Sequence, residues 1–153
     1  MSNAIQNFEI IYNNPFILTP LFHSFYKEIS GKPKNVLLSY LLLPLVLPEK
    51  SKKFLIRANS RSSILTLVKD RQRIFGIAER IYEYRELTNA CLQNAFDIRS
   101  MTLSEDQSIS VKNDYSFVEL SPHGTLKAAS KLGRLFSPFE IAAIFRMLGV
   151  KQL

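Results

Sequence analysis

Chemistry in a chain like this one would have to come from its histidines, its cysteine or paired carboxylates, and these are few and scattered. His23 and His123 are the two histidines and Cys91 is the single cysteine. Neither histidine has a second His or Cys at ligand spacing, so the pattern gives no zinc site. His23 stands among aromatic residues on a helical stretch and reads as a core histidine. His123 sits in Ser121-Pro122-His123-Gly124 and reads as a turn residue. Cys91 falls within an apolar stripe, where a thiol behaves as a small hydrophobe. Glu79, Glu83 and Glu86 lie about one helical turn apart beside Arg80 and Arg85. That is the pattern of a solvated charged face rather than of an acid/base pair. Five glycines form neither a phosphate-cradling loop nor a Gly-x-Ser-x-Gly elbow. The residues therefore assign no catalytic group, no cofactor and no metal, and the expectation is a protein that is not an enzyme.

The exposed feature that stands out is charge. The net charge is +7 and the isoelectric point is near 9.6. Between Lys50 and Arg73 lie eight cations against Asp70 alone, a net +7 equal to that of the whole chain. Such a window suits an anionic partner, either nucleic acid or an acidic protein face. Its bland alternative is a solvated loop and helix face. Lys50, Lys52, Lys53, Arg57 and Arg61 are the candidate anion- or partner-binding residues, with Phe54, Leu55 and Ile56 anchoring the loop expected to carry them. No aromatic ladder for base stacking accompanies them, so contact with DNA would be to phosphates and blind to sequence.

The elements that would position these residues are mostly helical. Asn14 caps a helix that opens at Pro15 and runs to about Ile29, with Ser30-Gly31-Lys32-Pro33 as its stop. Val36 to Leu43 is apolar on all sides and should be central, with Pro44 and Pro48 preventing a regular helix beyond it. Ser60 to Lys69 suits a short helix. Ile74, Ile77, Ile81, Tyr84, Thr88, Cys91, Ala95 and Ile98 alternate steps of three and four, marking a long core-facing helix from Arg73 to Ile98, with a coiled-coil seam as its alternative. Met101–Leu103 and Ile109–Val111 flank a polar turn and read as a β-hairpin. Asn113-Asp114 suits a turn, Phe117 to Leu120 a short strand, and Thr125 to Phe136 a helix. Ser137, Pro138 and Glu140 form a capping pattern for a last helix, which Gly149 ends. The fold class is mainly α with a small β-hairpin (α+β), a single domain over residues 1–153. Short helices, a long helix and then a hairpin follow the element order of a winged helix. The most apolar run, Val36 to Leu47, has twelve residues, whereas a membrane span needs about 20. One cysteine and no signal-peptide pattern at Met1 to Gln6 fit the cytoplasm.

Four segments, in order along the chain, resemble one bacterial family. They are Asn14-Pro15-Phe16, Leu41-Leu42-Leu43-Pro44-Leu45-Val46-Leu47-Pro48, Arg61-Ser62-Ser63-Ile64, and Lys127-Ala128-Ala129-Ser130-Lys131-Leu132-Gly133-Arg134-Leu135-Phe136, with Leu148-Gly149-Val150-Lys151 as a familiar ending. The chain is similar to the middle component of three-component ABC-ATPase systems. It departs from that pattern at Leu135, where a Trp is expected, and at Gln152, where a Pro is common. The resemblance implies a non-catalytic adaptor between an ABC ATPase subunit and an effector subunit of the same operon, in anti-phage or anti-plasmid defence. The alternative is a stand-alone winged-helix-type DNA-binding regulator. Gly133 costs about 1 kcal/mol in a helix interior relative to Ala and marks a close backbone approach, either to this chain's own core or to a partner. Arg134 beside it is expected to pair with an acidic residue of a docked partner subunit. Gly133 and Arg134 are the candidate docking residues.

Overall fold

The computed structural model describes residues 13–112, 114–117 and 124–153. The N-terminal twelve residues, the Val118–Leu120 part of the expected strand, the Ser121-Pro122-His123 loop and Asn113 lie outside them.

Helix α1 spans Pro15–Lys27. The Asn14 side chain accepts the Phe16 N–H at 2.9 Å, and Pro15 occupies the position where a missing N–H costs nothing. A 3-10 turn over Asn35–Leu38 leads into α2, Ser39–Val46. The sequence predicts that Pro44 stops this helix, yet α2 runs through it. Leu41, Leu42, Leu43 and Leu45 are fully buried around the proline, and the Arg80 guanidinium donates to its carbonyl oxygen at 3.0 Å. Pro48 is where the chain breaks, with extended backbone, and α3 begins at once over Glu49–Arg57. Part of the basic window expected as a loop is therefore a helix, held by Leu55, which is fully buried. Helix α4, Ile64–Lys69, starts later than Ser60 because Ser63 and Thr66 form a reciprocal capping box there.

Helix α5 spans Ile77–Asp97. It starts four residues after Arg73 because Gly76 takes φ +71°, a conformation that ends one turn before the next can begin. Its stripe of Ile77, Ile81, Thr88, Cys91 and Ala95 is buried against α1 and α2. The α-helical stripe thus serves an internal core. Strands β1 (Met101–Leu103) and β2 (Ile109–Val111) pair antiparallel as expected, with Thr102 opposite Ser110. The hairpin does not stand off as a free wing. Gly31, Lys34 and Val36 donate backbone hydrogen bonds to Ile109, Asp106 and Gln107, and the buried Asn35 amide brackets Ile109.

Helices α6 (Thr125–Phe136) and α7 (Ile141–Leu148) complete the described residues. Ser137 does not cap α7, as its spacing to Glu140 predicts; it ends α6, its hydroxyl donating to the Arg134 carbonyl, and Glu140 precedes α7 instead. The Lys32 ammonium explains the shift: it binds the Ser137 carbonyl at 3.1 Å and reaches those of Phe136 and Phe139, holding this stretch as a helix end. Gly149, at φ +75°, ends α7 as expected. One hydrophobic cluster joins α1, α2, α5, α6 and the hairpin, with Phe22, Phe25, Tyr26 and Phe136 its largest members. No helix among the described residues is long and apolar enough to cross a membrane.

Candidate partner-binding groove

Several of this chain's cations serve helix carboxyl ends, where orphan carbonyls carry partial negative charge. Lys32 does so at α6, Arg80 at Pro44, and Lys131 at Ala58, the cap of α3, at 2.6 Å. Arg73 donates to the Thr66 and Leu67 carbonyls of α4. Its guanidinium also lies 4.4 Å above the Phe54 ring. The surplus of positive charge is thus partly structural.

What remains defines a groove. Lys50, Lys53 and Arg57 project from α3 at positions i, i+3 and i+7, one face of the helix. They wall a depression whose far side is Asp70, Gln72 and Arg73. Ala58 and Ser62 form its end and also line a second depression with Lys131, Arg134, Leu135 and Pro138. The two depressions share Ala58 and Ser62, so the basic window and Arg134, far apart in sequence, line adjoining surfaces. Lys50 hydrogen-bonds Gln72 across the first depression. Lys53, Arg57 and Arg61 are exposed, and their side chains make no hydrogen bond or ion pair among the described residues.

Lys52 differs from its neighbours. It is 8% exposed, and its ammonium sits 2.9 Å from Glu49. That ammonium holds the Glu49 carboxyl below its usual range. Lys52 therefore steadies the first turn of α3 and does not belong to the free cationic face. Arg61 lies on the exposed α3–α4 connector and lines neither depression.

Gly133 and Arg134 find their counterparts inside the chain. A Cβ at Gly133 would stand 2.6 Å from the Phe25 carbonyl oxygen and 2.9 Å from the Glu28 Cβ, so the close backbone is that of α1. The Arg134 guanidinium lies 3.6 Å from Glu28, which also accepts from the Ser130 hydroxyl. With a side chain 61% exposed, Arg134 still reaches the groove surface. Lys131 and Glu28 were not legible as site residues; the nearness of Lys131 to Arg134 on one helix was the only signal for the former.

Away from the groove, His23 and Cys91 are shielded. His23 is buried against Tyr115 and Phe117, and its two ring nitrogens have no hydrogen-bond partner among the described residues. Burial and the neighbouring Lys27 lower its pKa. Burial pushes the Cys91 thiol up to about 12, leaving it protonated and inert at neutral pH. No three His, Cys, Asp or Glu side chains among the described residues gather as a metal site.

A second surface lies along α5. Tyr82 is 74% exposed with the Arg85 guanidinium 5.9 Å from its ring, and Phe75, just before the helix, is 83% exposed. Tyr82 and Arg85 line a depression with the C-terminal residues from Gly149 to Leu153. It shares no residue with the basic groove.

No curated protein and no solved structure matches the chain. A family model does, over residues 2–152, and by that match the chain belongs to the Middle Component 3 family of ABC-three component (ABC-3C) systems.

Proposed function

We propose that this chain is the non-catalytic adaptor of its ABC-3C system, holding an ABC ATPase subunit and an effector subunit of the same operon together in a cytoplasmic anti-phage or anti-plasmid response. The observation that carries the reading is the pair of unlike exposed surfaces. One is the cationic groove of Lys50, Lys53 and Arg57; the other is the exposed Tyr82 with Arg85 over its ring on α5, with a further exposed aromatic, Phe75, just before that helix. Tyr and Arg are the residue types that most often dominate protein interfaces. An adaptor needs two such faces, and these two share no lining residue.

The test is co-expression of the three operon proteins and capture through this one. Lys53→Glu with Arg57→Glu should release one partner, and Phe75→Ala with Tyr82→Ala should release the other. Each variant should still melt near the wild type, because all four side chains are exposed. Retention of both partners by both double variants would remove the two-faced adaptor reading.

A further inference from the structure

We infer that the basic groove receives an extended, acidic polypeptide segment of a partner protein. This rests on the adaptor reading and adds the chemistry of what docks. Lys50, Lys53 and Arg57 climb α3 in steps of about 4.5 and 6 Å, from a rise of 1.5 Å per residue. Side chains on one face of an extended strand recur about every 6.8 Å. The step of about 6 Å from Lys53 to Arg57 is the closer match, so acidic residues two apart in such a segment can meet these two cations, with the flexible Lys and Arg side chains taking up the difference. Lys53 and Arg57 make no competing bond among the described residues, so an incoming carboxylate displaces nothing.

Several features favour a polypeptide over nucleic acid. The cations line a depression between α3 and the Asp70–Arg73 turn, a shape that admits one extended chain more readily than a convex duplex. The Phe54 ring, the aromatic group in that depression, has a guanidinium over one face and is itself packed against the core, which disfavours stacking of a base on it. Asp70 lines the same groove, but its carboxylate accepts the Gln72 N–H and lies 4.0 Å from Arg73, so its charge is partly offset. In the adjoining depression beyond Ala58, the exposed Pro138 beside the edge of Leu135 offers an apolar contact for a hydrophobic residue following the acidic stretch.

The experiment uses the full chain and a labelled synthetic peptide alternating glutamate and serine and ending in leucine, with a short DNA duplex as the rival probe. Fluorescence anisotropy should show the peptide binding more tightly than the duplex at the same salt. Lys53→Glu with Arg57→Glu should weaken the peptide by about tenfold or more. A glutamine-for-glutamate peptide should not bind. Tighter binding of the duplex, lost in the same variant, would overturn the proposal in favour of nucleic acid. Absence of peptide binding, or a double variant that binds it as well as the wild type, would overturn it outright. Operon capture separates the two readings: partners retained while the peptide fails sinks only the acidic-segment proposal, and peptide bound while no operon partner is captured sinks only the adaptor.

Discussion

Gly133 and Phe25 are packed backbone to backbone, with room for a hydrogen but not a methyl between the Gly133 Cα and the Phe25 carbonyl oxygen. Alanine at 133 gains about 1 kcal/mol in helix propensity, but its Cβ at 2.6 Å must push α6 off α1, at about 1–3 kcal/mol. Backbone cannot rotate away as a side chain tip can, so the clash wins. Gly133→Ala should lower the thermal midpoint by roughly 2–6 °C, and Gly133→Leu should lower it further. Arg134→Ala should change it little, since exposed ion pairs contribute ~0–1 kcal/mol. An alanine variant melting at or above the wild type would mean the two helices do not approach as described.

The same pair shows what the sequence reveals and what it withholds. A glycine inside an amphipathic helix announces that some backbone comes close, and the three-and-four spacing along α5 announces which face is buried. Neither says which segment lies opposite, because that is decided by contacts about a hundred residues apart, such as Ser24 to Leu126. Local rules failed where such contacts intervened. Pro44 is carried inside α2 by the buried leucines around it, and Ser137 is claimed by α6 because Lys32 reaches its carbonyl from another part of the chain. The basic window was legible as charge. Lys52 turning inward and the junction with Arg134 were not, since a string of cations carries no record of which ones meet a neighbour.

Asn35 is the buried side chain that fixes the hairpin, and its loss has a local readout. Its amide nitrogen donates to the carbonyls of Ile29 and Ile109 at 2.8 and 3.0 Å, and its oxygen accepts the Ile109 N–H. Asn35→Ala leaves that N–H without its partner in a site closed to water, at about 1–3 kcal/mol. Amide hydrogen exchange at Ile109 should speed up markedly in the variant, while amides in the middle of α5 change less. Equal protection of Ile109 in the two proteins would show that Asn35 does not hold β2.

His23 should make stability depend on pH in the mildly acidic range. Burial and Lys27 lower its folded pKa below the ordinary 6.5, and its buried ring has no acceptor among the described residues to take an imidazolium proton. The unfolded chain therefore binds that proton first as pH falls. Stability from the neutral ring is fully present above the unfolded pKa, begins to fall as pH passes below about 6.5, and goes on falling until the folded pKa is passed. One proton can contribute a slope of at most about 1.4 kcal/mol per pH unit. The faces packed on the ring are Tyr115 and Phe117, so protonation also places a cation against the aromatic segment that covers it. His23→Phe keeps the aromatic packing and removes the titration. Thermal melts between about pH 7.5 and 5 should show the wild type losing stability more steeply than this variant. Parallel curves would mean that His23 is already solvated enough to titrate as it does in the unfolded chain.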